Sequence, residues 1–162
     1  MTAGQPFRQP SQRVRDLFAR LDSDVDLWVA SADTAGNPYL VPLSFLWDGA
    51  SFVVSTLETN PTGRNMLENR KVRLGLGPTR DVAVIDATVE PLPRDAVPEQ
   101  LADAFARKAG FDPRAQPQPY VYYRLVPHRV EAWREANELS GRVLMRDGRW
   151  LAGGSAPAGS DA

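Results

Sequence analysis

Short apolar segments separated by turn residues restrict this chain to antiparallel β-structure. Residues 26–33, 39–47 and 51–56 are three such segments. The turn residues 34–37 lie between the first two, and an Asp48-Gly49 pair, a strong hairpin signal, lies between the last two. Together they predict an antiparallel meander.

The remaining elements alternate helices with further strands. The spacing of Val14, Leu17, Phe18 and Leu21 predicts a helix with Ser11 as its N-cap. Pro61 after Asn60 predicts a short helix over 61–69 that Asn60 caps. We expect another helix over 98–108, strands over 71–76, 82–90 and 120–133, and a hairpin over 143–151. The fold class is therefore mainly β with flanking α, a closed or nearly closed barrel of about seven strands with two or three helices.

Length and composition exclude several classes of protein. The 162 residues suffice for one domain, which we place at 11–152, between a flexible arm (1–10) and a disordered tail (153–162). A net charge of −1 gives no sign of a nucleic-acid or membrane partner. With no cysteine and one histidine, the chain has no disulfide, no catalytic thiolate and no His-rich metal site. No secretory signal or membrane span is visible, so we expect a cytoplasmic protein.

The segment 60–65 is a candidate anion site. The amides at a helix start point outward, and Thr62, Arg64 and Asn65 add side-chain donors. The alternative is that Asn60 merely caps the helix and Arg64 is solvated.

Two neighbouring strands form a second candidate. Pro42 cannot donate to a β-ladder, which predicts an unpaired strand edge beside Ser44, Ser55 and Thr56. Such an edge could bind a flat heteroaromatic ring, although an ordinary edge strand facing water has the same composition.

A third candidate combines Trp133 with Arg142, which could stack on a ring or on a partner subunit. A core or dimer-interface tryptophan is the alternative. We interpret His128, which follows Pro127 at a strand bend, as structural.

These stretches resemble the pyridoxamine 5′-phosphate oxidase-like split β-barrel family, which includes flavin- and deazaflavin-dependent oxidoreductases. The resemblance rests on FVVST at 52–56, GRNM at 63–66, RLVPHRVEAW at 124–133 and DGRW at 147–150. It implies a split barrel of six to seven strands and a homodimer with two cofactor sites at its interface. Val41, Pro42, Leu43, Ser44 and Phe45 would run along a flavin-type ring, which Ser55 and Thr56 would hydrogen-bond at the ring or the ribityl chain. Thr62, Arg64 and Asn65 would lie at the phosphate, and the other subunit would contribute Trp133 and Arg142.

Two departures from the oxidase itself narrow the expected activity. Pro61-Thr62 replaces an Arg-Lys pair that grips the phosphate, and Glu138-Leu-Ser140 replaces an Arg-x-His that holds the pyridoxal ligand. We therefore expect a bacterial oxidoreductase that transfers hydride to a small conjugated acceptor, and no oxidation of vitamin B6. The expected cofactor is the deazaflavin coenzyme F420, with FMN as the alternative, and no catalytic side chain is assigned. The rival hypothesis is a non-catalytic carrier of a cofactor, a tetrapyrrole or a fatty acid; a third is a structural dimer with a degenerate pocket.

Overall fold

The computed structural model describes residue 4 and residues 6–151. The tail predicted at 153–162 and part of the predicted arm lie outside the described residues. The described part contains three α-helices and eight strands: α1 Pro10–Ser23, β1 Asp26–Ala32, β2 Pro38–Trp47, β3 Phe52–Leu57, α2 Pro61–Asn69, β4 Lys71–Leu76, β5 Val82–Leu92, α3 Glu99–Ala109, β6 Tyr120–Trp133, β7 Val143–Arg146 and β8 Arg149–Trp150. Short 3₁₀ turns occur at Arg94–Ala96, Pro113–Ala115 and Ala136–Glu138.

Six of the strands close into an antiparallel barrel. The order along the sheet is β3-β2-β1-β4-β5-β6, and β3 also pairs with β6, which completes the cylinder. Strands β7 and β8 extend the sheet from β6 as a hairpin. The predicted fold class, a mainly β split barrel with flanking helices, is confirmed.

The core fills the barrel and continues beneath two helices. Alternate residues of β1, β4, β5 and β6 point inward, as the period of a strand requires. Helix α1 adds the buried Val14, Leu17 and Leu21 from its apolar face. A second cluster, which includes Val53 and Phe105, lies between α3 and the outer side of the barrel.

Both predicted N-caps need correction. Helix α1 begins at Pro10, with Gln9 rather than Ser11 at the cap, because proline is already set for the first helical position. Helix α2 does begin after Asn60, but that side chain does not cap it. The Asn60 amide instead donates to Thr56 Oγ1 at 3.1 Å.

A buried ion-pair network ties the start of the described chain to the segment after β6. The Arg8 guanidinium donates to Glu138 Oε1 at 3.0 Å and to Oε2 at 2.8 Å, and the Arg8 backbone N–H also donates to Oε1. Arg13 donates from Nη1 to the Glu138 carbonyl at 3.1 Å. Glu138 is only 1% exposed. Arg8 belongs to the predicted flexible arm (residues 1–10), yet it is buried and bonded to Glu138 in the described structure. The flexibility of the arm itself remains a prediction.

Candidate cofactor site

The barrel is split between β2 and β3. Strand β2 pairs with β1 from Pro38 to Ser44, but with β3 only from Phe45 to Trp47. Within the described residues, the edge of β2 before Phe45 therefore has no strand beside it. This is the unpaired edge that Pro42 predicted.

A groove of about 360 Å³ opens at this split. Its lining combines serine hydroxyls and one carboxylate with apolar and aromatic side chains: Asp26, Pro42, Leu43, Ser44, Ser55, Phe105, Phe111 and Tyr120. Its volume lies in the range of small-molecule sites. The groove brings together four of the residues that the sequence assigned to a ring-binding site.

Hydrogen bonds within this groove fix its serine side chains. Ser44 Oγ donates to Asp26 Oδ1 at 2.6 Å, and Ser55 Oγ donates to the carbonyl of Val121 at 2.9 Å. Ser55 can therefore still accept a hydrogen bond from a ligand. Phe45 as a whole is buried in the core, and its backbone N–H donates to the carbonyl of Val25 at 2.9 Å, so this residue does not face the groove.

The start of α2 carries an unsatisfied hydroxyl. Thr62 is 2% exposed, and its Oγ1 has no hydrogen-bond partner among the residues that the structure describes. Buried polar groups without partners are rare in proteins. No side chain caps the first turn of α2 in this part of the chain either. Thr62 is buried and does not line the grooves described here, but its orphaned hydroxyl lies in the first turn of α2, whose uncapped amides favour an anion.

Gly63 allows this helix start to pack tightly against the end of β3. A Cβ at position 63 would lie 2.2 Å from the carbonyl oxygen of Leu57, which is closer than any real contact. Only glycine therefore lets the first turn of α2 approach the backbone of β3 so closely. The turn is thereby held next to the split.

A second groove, of about 230 Å³, lies between α2 and the turn that joins β1 to β2, and we call it the Arg64 groove. Arg64 and Asn65 line it. Arg64 donates from Nη1 to the carbonyl of Thr59 at 2.7 Å, which leaves its other N–H groups for a ligand, whereas Asn65 donates to Ser31 Oγ at 3.1 Å. The groove also contains Asp33 and Glu68, so it is not uniformly basic.

The carboxylate of Asp33 is engaged by the β1–β2 turn. Hydrogen bonds from the side chain and backbone of Asn37, and from the backbone of Ala35, lower the pKa of Asp33. These bonds occupy both of its oxygens. Asp33 therefore organises the turn beside Arg64, and it remains charged at neutral pH.

The two grooves lie along the same strand. Tyr39 lines the Arg64 groove and Leu43 lines the groove at the split. Leu43 is four positions beyond Tyr39 in extended chain, which corresponds to about 13 Å. An elongated ligand could therefore place an anionic end near α2 and a flat end at the split.

Trp133 and Arg142 lie elsewhere in the single chain. Trp133 is at the end of β6 and Tyr120, in the groove at the split, is at its start, about 40 Å away along the strand. The Arg142 guanidinium lies 5.7 Å from the Trp133 ring centre and donates to Glu131 at 3.2 Å. Trp133 and Arg142 therefore lie close to each other. Within one chain they lie apart from the other ten candidate residues.

A third groove, of about 320 Å³, adjoins the split on the outer side of the barrel. It shares Asp26 and Pro42 with the groove at the split and adds Asp24, Leu27, Trp28, Gly75 and Gly77. Trp28 is 50% exposed. We call it the Trp28 groove.

Sequence reasoning missed Asp26 and the aromatic wall of the groove at the split. Part of the signal for Asp26 was present, because a hairpin at the 34–37 turn brings Asp26 within one residue of Ser44; the observed turn, 33–37, places them opposite each other. No local signal indicated Phe105, Phe111 or Tyr120. Their position depends on how α3 packs against the barrel.

A family model confirms the relationship that the motifs indicated. Residues 18–134 match the model described as pyridoxamine 5′-phosphate oxidase. The chain belongs to this family. No curated protein sequence matches it significantly.

Solved structures with this fold include proteins of different function. The heme storage protein HutZ from Vibrio cholerae is 18% identical with a TM-score of 0.61, over 73% of this chain and 92% of that one. A FAD-binding protein from Mesorhizobium loti is 21% identical with a TM-score of 0.59, over 72% of this chain and 90% of that one. An F420 reductase is 16% identical with a TM-score of 0.58, over 69% of this chain and 93% of that one. At these identities the likeness establishes the fold of this pyridoxamine 5′-phosphate oxidase family member and not its activity.

Metal and membrane sites are not found in the described part of this family member. It contains no group of three or more His, Cys, Asp or Glu side chains that could hold a metal ion. None of its described helices has the length and apolar character that crossing a membrane requires.

Proposed function

We propose that this protein is a flavin- or deazaflavin-dependent oxidoreductase that transfers hydride to a small conjugated acceptor. Coenzyme F420 is the preferred cofactor and FMN the alternative. The observation that carries the proposal is the alignment of two grooves along the unpaired edge of β2, beside the orphaned hydroxyl of Thr62. Family membership and the F420- and FAD-linked structures of the same fold support it.

Different residues would bind the phosphate and the ring of the cofactor. Thr62, Arg64 and the first amides of α2 would hold the phosphate, since these groups offer donors to an anion. Residues 41–44, with Ser55 and Thr56, would border the ring. The bound cofactor would supply the hydride, while the protein orients the ring and limits the access of water.

The proposed activity excludes pyridoxamine 5′-phosphate oxidation. Glu138, which stands where the oxidase has an arginine, is buried and bonded to Arg8. Its carboxylate is enclosed and accepts hydrogen bonds from Arg8, so it offers no donor to an anionic ligand. Position 138 therefore stabilises the fold instead of binding an anionic ligand.

The same proposal includes a homodimer. Trp28, Leu40 and Pro42 lie on one outer face of β1 and β2, and Leu40 is 59% exposed. Exposed apolar faces of this kind commonly become interfaces. A second subunit on this face would also allow its Trp133 and Arg142 to complete a site that one chain leaves open.

The test is a binding titration of the purified protein with F420 and with FMN, in which fluorescence and calorimetry measure the dissociation constants. Thr62→Val keeps the shape of the side chain but removes the hydroxyl, and Arg64→Ala removes the cation. We expect each to weaken cofactor binding about tenfold, because a charge-assisted hydrogen bond contributes about 1.5–3 kcal/mol.

Two matched variants serve as controls. Thr79→Val makes the same change at an exposed threonine in the β4–β5 turn, and Arg15→Ala removes an exposed cation from α1. Neither should affect binding. Wild-type affinity in both Thr62→Val and Arg64→Ala would refute the assignment of the phosphate to α2.

A carrier without turnover is the second candidate, favoured by the replacement of the basic pair with Pro61-Thr62 and by the heme storage protein of the same fold. Histidine, the usual heme ligand, occurs once, and His128 Nε2 lies 2.8 Å from Thr88 Oγ1. In this second candidate, Tyr120 in the groove at the split would be the heme ligand. A Soret band that forms with stoichiometric hemin and disappears in Tyr120→Phe would favour this candidate.

A further inference from the structure

A small cavity lies beneath helix α1 and shares no lining residue with the three grooves described above. Its volume is about 20 Å³, and α1, the start of β5 and the end of β6 form most of its wall. The lining combines charged and apolar side chains: Arg8, Arg13, Asp16, Leu17, Arg20, Asp81, Val82, Ala83 and Ala132. One water molecule needs roughly 10–15 Å³, so the cavity admits a single occupant of about that size.

One hydrogen-bond donor in the wall of this cavity has no acceptor. Arg13 is 1% exposed, and within the described residues its Nη2 has no hydrogen-bond partner. Its other two nitrogens are satisfied, because Nε donates to the carbonyl of Arg8 at 3.1 Å and Nη1 donates to the carbonyls of Glu138 and Gly141 at 3.1 and 3.3 Å. The Phe7 ring, centred 5.1 Å from Arg13 Cζ, covers the guanidinium without supplying an oxygen acceptor. Nη2 is therefore left for an occupant of the cavity.

The buried charges around Arg13 are also unequal in number. Arg8 and Arg13 are both buried, whereas Glu138 is the one buried carboxylate beside them in the described chain. Glu138 bonds directly to Arg8, and its contact with Arg13 Nε is longer, at 3.8 Å. Burial lowers the pKa of Arg13, although Glu138 opposes this effect. Since an uncompensated buried charge is costly, an anion is favoured over a neutral molecule beside Nη2.

The two carboxylates that line the cavity are engaged by other arginines. Asp16 lies 2.9 Å from Arg8 Nη1, and Asp81 lies 3.0 Å from Arg20 Nη2. Arg134 adds a contact with Asp81 at 3.2 Å. Both carboxylates are partly exposed, so water also screens their charge. These contacts and this screening limit their repulsion of an anion in the cavity.

We propose that this cavity binds a halide ion, such as chloride, through the free N–H groups of Arg13 Nη2. A halide is close in size to a water molecule, whereas phosphate and sulfate need more volume and more donors than the cavity offers. The ion balances the second buried guanidinium and connects α1 to β5 and β6. Its role is to stabilise the fold, and it does not depend on the proposed activity.

Thermal unfolding of the purified protein tests this site, with chloride titrated against gluconate at constant pH and ionic strength. Gluconate is too large for the cavity. When chloride reaches about ten times its dissociation constant, the wild-type melting temperature should be about 3–6 °C higher than in gluconate. Arg13→Lys keeps the charge but removes Nη2, so it should lose this difference. Arg15→Lys makes the same change at an exposed arginine of α1 and should respond like the wild type.

A second measurement uses the wild type alone and does not require the Arg13→Lys variant to fold. Crystals grown without chloride and soaked in sodium bromide should show an anomalous difference peak next to Arg13 Nη2. A water molecule at that position, with no bromide peak, would overturn the proposal. Equal wild-type melting temperatures in the two salts, or a chloride response that Arg13→Lys retains, would also overturn it.

Discussion

At the scale of single residues, Glu138 contributes most clearly to stability. Burial by itself would raise the pKa of this carboxyl, but the Arg8 side chain and the backbone N–H groups of Arg8 and Arg134 lower the pKa to about 2. The charged form is therefore strongly favoured in the folded protein. Removing the carboxylate from such a buried pair is costly, because the buried arginine loses its nearest counter-charge.

Glu138→Gln should lower the free energy of unfolding at pH 7 by about 3 kcal/mol, because the buried Arg8 loses its buried counter-ion and keeps only the partly exposed Asp16 and Asp81. Urea unfolding measures the change. Glu135→Gln is the matched control, since Glu135 contacts the exposed Arg80 at 3.3 Å and such surface pairs contribute about 0–1 kcal/mol.

The stability of the wild type and of Glu138→Gln should also depend differently on pH. The pKa of Glu138 is lowered on folding from 4.5 to about 2. The stabilisation is therefore complete above pH 4.5 and is lost as the pH falls through 2. The stability difference between wild type and Glu138→Gln should shrink by about 3 kcal/mol over this interval. A constant difference from pH 7 to pH 2 would show that the charge of Glu138 is not its cause.

At the scale of elements, the contact between α2 and β3 positions the proposed phosphate site. Alanine normally stabilises a helix relative to glycine by about 0.5–1 kcal/mol. At position 63 a Cβ would overlap the backbone carbonyl of Leu57, and neither backbone can move freely. The overlap should outweigh the gain in helix propensity.

Gly63→Ala is therefore expected to destabilise the protein by about 1–3 kcal/mol, the usual cost of overpacking, and to weaken cofactor binding by displacing Thr62. Gly75→Ala is the control, because its Cβ would make an ordinary 3.7 Å contact with Trp28. Chemical unfolding of both variants checks the prediction. It would be contradicted by a Gly63→Ala protein at least as stable as the wild type.

At the scale of the whole molecule, one outer face of the barrel remains exposed and apolar. Trp28 lies opposite Pro42 on β2 and Gly75 on β4, and Leu40 lies opposite Ala30 on the same side. In the proposed homodimer, a twofold axis would bury this face of each subunit against the same face of the other.

Leu40→Glu should convert the homodimer into a folded monomer, since each interface would gain two buried carboxylates. Sedimentation velocity measures the mass, and circular dichroism shows whether the barrel is intact. Leu151→Glu makes the same change at a leucine that is 52% exposed elsewhere and should leave the dimer unchanged. A wild-type protein that sediments as a monomer would refute the proposed dimer.

Local patterns explain which elements could be predicted from the sequence. The bounds of α2, β4 and β6 agree with the prediction because proline, glycine and apolar spacing act within a few residues. The cap of α2 was wrong because Thr56, on the preceding strand, takes up the Asn60 amide. The unpaired edge of β2 was predicted correctly from Pro42 alone.

The sequence by itself therefore determined the antiparallel strands, the short helix after β3 and the family, because these follow from local periodicity and motifs. Tertiary structure decided where distant segments meet. Closure of β3 on β6 creates the split, and the packing of α3 supplies its aromatic wall. Arg8 and Glu138, 130 residues apart, form a buried pair that neither side chain indicates alone. Such contacts depend on burial and on distance in space, which no local pattern encodes.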